Sequence, residues 1–566
     1  MKIIHYLFCV LLSAVILLIV VLPLFQNSYF PMHDDTQPTR IYLMAQALED
    51  GQFPVRWVQY LGYGYGYPIF NFYAPLPYYV GSIPILLGFD AVDSAKILFG
   101  LVTAGAFITM FFLLKHFVKT GAAIAGATVY LLFPYHAVNT YVRGALSEQF
   151  GYLLIPLVIL FYVKMFEGKS NSKKWVTFFS IFLSVLVISH NLSALMAAIV
   201  FLPLVIVHFT FSKKKVLHLK YLFISLLLTF GLGAFYILPV IFESSFTNVS
   251  SQVGGGADFK DHFVCFEQFW NSSWGFGGSA PGCLDGLSFK LGKSNIVFGL
   301  VSLLFILATI IWKKAKQRLS FELIIPLWVI AFSMFLMLQI SDVFWNTIPL
   351  LKFIQYPWRF LAFAGLGISF LIGAALHSID RVFEKKFVTF AAALIVIVVT
   401  IADNSTLFSP QASLIKDVSR YTSPDSIEYE ISKISDEYMP KNFKKPRNLQ
   451  DIPNKYFLSK NAKVFITKEN ASSKKISAYI KTNQKEEIAV RIAPYPAWEY
   501  YLDGKKTQLK NLNNGILIHV PPGEHNVVLK FNQTLIEKAG NIVSLFTILI
   551  LGAVIIFKRI YGKKNI

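Results

Sequence analysis

Two neighbouring carboxylates follow the first long apolar run of this sequence: the stretch FPMHDDTQPTR sets His33, Asp34 and Asp35 side by side, with Arg40 after them. Arg56 comes next in PVRW, then Arg143 and Glu148 in RGALSEQF, His190 and Asn191 in SHNLS, and Trp358 and Arg359 in QYPWRF. A carboxylate held near a hydroxyl accepts its proton in general-base chemistry. A guanidinium presents a planar fork of donors that matches phosphate oxygens. Gathered at one place, these residues suit a site that grips an anion and moves a proton. Singly, each has a plainer reading. Asp35 and Thr36 serve equally as the cap of a helix with Pro38 in its first turn and Ile41, Met44, Ala45 and Leu48 on its apolar face. His190 can be a hairpin tip, Glu148 can pair with Arg143, and Arg359 beside Trp358 can anchor a helix end by snorkelling.

The elements that must position these residues follow from composition. The 566 residues are 55% hydrophobic and only 15% charged, whereas a soluble domain carries roughly a quarter charged residues. Lipid is therefore the solvent of most of the chain. The formal charge of +20 does not indicate nucleic acid, because the basic residues sit in clusters beside apolar runs. Lys115/Lys119, Lys169/Lys173/Lys174, Lys213 to Lys215, Lys313/Lys314/Lys316/Arg318, Arg381/Lys385/Lys386 and Lys558/Arg559/Lys563/Lys564 each abut a run of roughly 20 residues, the length of a membrane span. That is the cytoplasmic bias of Lys and Arg.

With Lys2 inside, spans are predicted at 3–25, 95–117, 122–141, 150–165, a tight hairpin over 175–211, then 221–242, 295–313, 323–340, 358–381, 387–402 and 542–557. The total is about twelve. The first run lacks a small-residue cleavage site and reads as a retained helix. The expected organisation is a transmembrane domain over 1–402 with a long outer loop at 26–93, an outer domain over 403–538, and a final span with a basic tail over 539–566. The runs KVFITKE, KISAYIKT, EIAVRIA, GILIHV and HNVVLKF alternate apolar and polar residues between the turn signals LDGKK, NNG and PPGEH. They predict antiparallel strands and a small β-sandwich. The glycine run at Gly254 to Gly256 reads as loop.

In this topology His33, Asp34, Asp35, Arg40, Arg56, Arg143, Glu148, His190, Asn191 and Arg359 all fall on the outer side. Outer loops are normally poor in Arg, and charge near the hydrocarbon edge is retained where it faces a cavity or a partner. The string YLGYGYGYPIFNFYAPLPYY, with Tyr63, Tyr65, Tyr67, Asn71 and Tyr73, reads either as an interfacial aromatic belt or as a substrate lining in which glycine lets backbone approach a ligand. Cys265 and Cys283 share one outer loop and are candidates for a disulfide, which spacing alone does not decide.

The order of a first span, an outer segment with an acidic pair, an interfacial helix and a proline-leucine motif resembles the GT-C superfamily of polytopic glycosyltransferases. HDD stands where that family keeps its first-loop catalytic acid, ALEDGQFPVRW resembles its helix ending in Gly-x-x-x-Pro with one residue fewer, and YAPLPYY (Pro75, Leu76) resembles its PPL motif. HDD, GYGYPIFNFYAPLPYY, RGALSE, SHNLSA and QYPWRF together are similar to bacterial membrane proteins labelled 6-pyruvoyl-tetrahydropterin synthase related, a label that gives no ground for pterin chemistry. The tail YPAWEYYLDGKK to VPPGEHNVVLKF resembles the outer domain of YfhO-type membrane proteins.

The resemblance implies a multi-pass enzyme of a prokaryotic plasma membrane with its β-rich domain outside. It would transfer a sugar, with inversion, from a polyprenyl-phosphate donor to an extracytoplasmic glycan, lipid or protein. Asp34 would be the base with Asp35 or His33 as helper, and Arg359 and Arg143, with Arg40 and Arg56, would hold the donor phosphate. Glu148, His190 and Asn191 would orient the acceptor or a divalent ion, and Trp358 and the tyrosine string would line the substrate. RGALSE contains no Asp-x-Asp, so a need for Mg2+ or Mn2+ is left open and no other cofactor is implied. The rival readings are a transporter or flippase of lipid-linked sugars, which should carry charge midway through broken helices, and a cell-surface polymer assembly protein, which leaves the acidic pair unexplained.

Overall fold

The computed structural model describes residues 2–167, 172–249, 254, 257–312 and 321–561. The expected basic residues Lys169, Lys313, Lys314, Lys316, Arg318, Lys563 and Lys564, and Gly255 and Gly256 of the glycine run, lie outside the described residues. Among the described residues, ten helices are long and apolar enough to cross a membrane, or twelve if two bent pairs each count as a span. The protein is thus a polytopic α-helical membrane protein with a β-rich C-terminal domain.

The bends have local causes. The span expected over 122–141 is Thr120–Leu131 followed by Pro134–Tyr141, turned by 45°. Pro134 supplies no N–H, and Phe133 before it is extended, as a residue preceding proline must be. The span expected over 323–340 turns by 87° between Leu323–Met337 and Gln339–Thr347, where Leu338 is extended. The hairpin expected over 175–211 is Ser172–Ser189 and Asn191–Phe211, broken at His190.

By its internal contacts the chain forms two units that interleave along the sequence. The first comprises Met1–Asp34, Leu98–Leu227 and Val253–Lys416, and the second Asp35–Ile97, Leu228–Gln252 and Asp417–Ile566. The boundary therefore falls between the two aspartates, inside the loop expected as one piece over 26–93. In the first unit, strand β1 (Ser28–Tyr29) pairs antiparallel with β2 (Leu414–Ile415). Its core is the helix Leu361–Phe383, buried from Phe363 to Leu376 and packed against Phe321–Met337, Thr120–Leu131, Lys293–Trp312 and Lys386–Asn404. The disulfide Cys265–Cys283 closes a loop of this unit.

In the second unit the alternating runs form strands β3 (Phe457–Leu458), β4 (Phe465–Ala471), β5 (Lys475–Thr482), β6 (Glu486–Val490), β7 (Trp498–Leu502), β8 (Lys505–Thr507), β9 (Lys510–Leu512), β10 (Gly515–Val520) and β11 (Gly523–Phe531). They make a five-stranded sheet of order β4-β5-β11-β7-β8 and a four-stranded sheet of order β3-β6-β10-β9, with every pairing antiparallel. Burial alternates along β5, β6, β10 and β11, as a half-buried sheet requires. The Tyr500 hydroxyl donates to the His519 carbonyl and links the two sheets.

The aromatic string packs on this domain. Trp57 meets Trp498 at 5.3 Å and Phe531 at 5.6 Å between ring centroids. Gly64, at φ +75°, lies so close to Arg491 and Glu428 that a Cβ there would approach Arg491 Nη1 to 2.6 Å. Gly64→Ala combines backbone strain with overpacking and is expected to destabilise the protein by about 2 kcal/mol, read as a lower denaturation midpoint of the purified protein; an unchanged midpoint contradicts the packing described.

Candidate functional site

The first unit collects charge from the ends of four helices. Tyr135 and Asn139 lie one turn apart on Pro134–Tyr141 and so share a face. Beyond it the chain turns at Gly144, whose φ of +64° and contact with Met32 leave no room for a side chain. That turn carries Arg143 and delivers Glu148 into the first turn of Leu146–Phe166, where the helix dipole favours an anion. Arg359 comes from the 3-10 turn Pro357–Phe360 at the start of the core helix, and His190 from the hairpin break.

Arg143 Nη1 donates to Glu148 Oε2 at 2.7 Å and to the Tyr135 hydroxyl at 3.1 Å, and also to Asn139 Oδ1. Tyr135 and Asn139 in turn donate to Glu148 Oε1. Arg359 Nε lies 3.6 Å from Glu148 Oε2, and its Nη1 donates to the Ile354 carbonyl at 3.1 Å. All of these side chains are buried. At 3.6 Å the Arg359 contact is an ion pair and not a hydrogen bond, so Arg359 Nε and the nearby Trp358 Nε1 are buried donors without an acceptor. Trp358 packs its ring under Arg143, with the guanidinium carbon 4.7 Å from the ring centroid. His190 caps Asn191–Phe211: its Nδ1 accepts from the Ser193 N–H at 3.2 Å and pairs with the Ser193 hydroxyl at 2.7 Å. An Nδ1 that accepts places the ring proton on Nε2, so the imidazole is neutral.

His33 and Asp34 belong to the same neighbourhood. Their backbone N–H groups donate to the carbonyls of Val142 and Arg143, both at 2.9 Å. Asp34 is half-buried, and its carboxylate acts electrostatically on Arg143. The exposed His33 ring pairs through Nε2 with the Phe276 carbonyl at 2.8 Å.

The arrangement has two guanidiniums around one carboxylate. Glu148 is already shared by Arg143, Tyr135 and Asn139, and the half-buried Asp34 is the other carboxylate of this neighbourhood. Among the described residues, the one set of three groups within metal-ligand distance is Cys265, Glu267 and Cys283, two of which the disulfide occupies.

The remaining expected site residues lie elsewhere. Asn191 is exposed and its Oδ1 accepts from the Leu192 N–H. Asp35 does not cap the helix Gln37–Glu49, whose N-cap is Thr36 without a side-chain bond. Its carboxylate accepts from Arg420 at 2.9 Å and from the Tyr421 hydroxyl at 2.8 Å. Arg40 bonds Ser435 at 2.7 Å and Glu437 at 3.1 Å and lies over the Tyr73 ring. Arg56 bonds Asn71 at 2.8 Å, and the Phe235 carbonyl and Asn541 at 2.7 Å each. Tyr63 donates to Asp436, Tyr67 to the Ser435 carbonyl and Asn71 to Tyr495, while Tyr65 packs edge-on to Phe443. Apart from Asn191, which is in the first unit beside His190, these side chains are bound within the second unit. Sequence reasoning missed Tyr135 and Asn139, although their four-residue spacing just before Arg143 was visible.

Residues 70–410 match the model of a family described as "6-pyruvoyl-tetrahydropterin synthase related domain; membrane protein". A search of curated proteins returns no match. Among solved structures, the arabinofuranosyltransferase AftD from Mycobacteria aligns at 15% identity and TM-score 0.47 over 72% of this chain and 27% of its own. ArnT from Cupriavidus metallidurans, bound to undecaprenyl phosphate, aligns at 12% and 0.45 over 70% of this chain and 63% of its own. The oligosaccharyltransferase AglB from Archaeoglobus fulgidus, with an inhibitory peptide and a dolichol-phosphate, aligns at 12% and 0.48 over 81% of this chain and 62% of its own. The chain thus spans between about a quarter and two thirds of these proteins, and at such TM-scores the likeness does not bear on its chemistry.

Two outcomes follow from the contacts. Glu148→Ala strands two buried guanidiniums and should cost about 3–5 kcal/mol of stability, measured as the shift of the denaturation midpoint; a shift under 1 kcal/mol contradicts the burial of the cluster. Burial pushes the Asp35 carboxyl up to about 6, against the opposing pull of Tyr421 and Arg420. The folded chain then holds that proton more tightly than the unfolded one, so stability falls as pH rises from about 4 to about 6. Asp35→Asn should flatten that part of the thermal midpoint against pH profile, and an unaltered profile refutes the assignment.

Proposed function

The chain belongs to the family of 6-pyruvoyl-tetrahydropterin synthase related membrane proteins, and from that premise we propose that it is a membrane glycosyltransferase using a polyprenyl-phosphate-linked sugar. The observation that carries this reading is a half-buried Asp34 whose backbone is bonded to Arg143, itself joined with Arg359 around Glu148. A base beside an anion-holding pair is what the transfer requires, and of the motifs that resemble the GT-C superfamily HDD supplies that base.

In this mechanism the acceptor hydroxyl oxygen attacks the anomeric carbon from the face opposite the phosphate, which inverts the configuration. Asp34 takes the hydroxyl proton. The bond between the anomeric carbon and the phosphate oxygen breaks, and its electron pair leaves on the phosphate. Arg143 and Arg359 offset the charge gained there, with the bare Arg359 Nε and Trp358 Nε1 as further donors. Glu148 holds the two guanidiniums in place, and His190, through a neutral ring, faces the acceptor. Asp35, bound to Arg420 and Tyr421, is a positioning residue at most.

The basic ends of the spans support a plasma-membrane location with the β-rich domain outside and a glycan, lipid or protein acceptor there. The flippase reading is weaker because the charged groups Arg143, Glu148 and Arg359 sit at helix termini, away from span centres.

In reconstituted membranes with a panel of polyprenyl-phosphate sugars, the wild type should release polyprenyl phosphate and form a glycosylated product. Asp34→Asn should lower turnover by at least about a hundredfold, the lower end of a general base's contribution, with an unchanged denaturation midpoint. Normal turnover by Asp34→Asn refutes its role, and movement of labelled lipid across the bilayer without product refutes the transferase reading.

A further inference from the structure

The second unit contains a cleft of ≈ 430 Å³ that the reaction above does not use, lined by Tyr60, Asp425, Glu428, Asn454, Tyr456 and Arg491 among others. Its volume is that of a small-molecule site, which runs roughly 300–1,000 Å³. We infer that this cleft binds a neutral carbohydrate, a short glycan segment, independently of the transferase reading.

The argument rests on which groups are already spent. Arg491, 4% exposed, donates to Glu428 at 3.0 Å, and its guanidinium lies 4.7 Å from the centroid of the Tyr456 ring. Its Nε is nonetheless a buried donor without an acceptor. The Tyr456 hydroxyl is held by Gln59 at 2.6 Å. Asp425 stands before the helical turn Ser426–Ile431 without capping it. Asp425 and Asn454 are exposed, free to bond hydroxyls in both senses, since a carboxylate accepts and a carboxamide does both. The two tyrosines are part-exposed and supply rings that combine an apolar face with a polar edge. Tyr60 is held there at φ +66°, a conformation retained only where its surroundings enforce it.

A ring with an apolar C–H face and a rim of hydroxyls matches this lining. An anion does not, because two carboxylates face one guanidinium. An apolar ligand would strand the free polar groups, at a cost in binding. A divalent cation finds a single free carboxylate, Asp425, since Glu428 is committed to Arg491.

The test is calorimetric titration of the full-length protein in lipid nanodiscs with neutral gluco-, manno-, galacto- and N-acetylglucosamine oligosaccharides. At least one should bind saturably, and Asn454→Ala and Asp425→Ala should each weaken it at least about tenfold, equivalent to 1.4 kcal/mol. Both side chains are exposed, so the denaturation midpoint should stay unchanged. Asp34→Asn should bind as the wild type does, which separates this site from the transferase reading. The inference is overturned if no oligosaccharide in the panel binds, if both variants bind undiminished, or if a neutral peptide or Ca2+ binds there and no sugar does.

Discussion

Two buried guanidiniums share one carboxylate in the first unit, and the surrounding architecture answers to that imbalance. Removing an ion from water is expensive unless partners replace the solvent. Glu148 is therefore met by Arg143, Tyr135 and Asn139 together, and Arg359 finds the Ile354 carbonyl. Delivering those partners requires helix ends to meet, which the break at Pro134 inside an apolar run, the turn at Gly144 and the 3-10 turn at Pro357 provide. What the protein leaves unmatched is two orphaned donors, Arg359 Nε and Trp358 Nε1, to which an oxyanion is a natural complement.

The second unit shows the same residue types in the opposite condition. Arg56 is bonded to Asn71, the Phe235 carbonyl and Asn541. Around it Tyr495 donates to Glu243 and Asn71 to Glu537. Carboxylates are abundant there and the arginine has several acceptors, although its Nε is a buried donor without one. Arg40, Arg56 and Arg359 each keep a buried Nε without an acceptor, and Arg143 is bonded to Tyr135, Asn139 and Glu148, so what sets Arg143 and Arg359 apart is that they share the one carboxylate of Glu148.

The elements themselves were largely legible. Spans of apolar residues bounded by lysines have few alternatives in lipid, and the alternating runs from Val464 to Phe531 match strands β4, β5, β6, β10 and β11. The short strand β7 was missed because WEYYL has no polar alternation: Trp498 and Tyr500 face inward while Glu499 and Tyr501 join a polar network with Asn532. The aromatic string was ambiguous for a related reason. Tyrosine and glycine serve a ligand and a packed loop equally well, and the contacts of Gly64 with Arg491 and Glu428, and of Trp57 with the sheet, decide for packing.

Sequence alone determined the class of molecule, since hydropathy over roughly 20 residues and the side taken by Lys and Arg are local properties that need no partner. It also determined which residue types were costly enough to require an explanation. Only the tertiary structure decided which of them act together. Asp34 and Asp35 are chemically identical neighbours, yet one lies open beside Arg143 and the other is bound to Arg420 and Tyr421, hundreds of residues along the chain. Whether a charged group is free or satisfied depends on what folds against it, and that information is carried by distant residues with no periodicity to announce them.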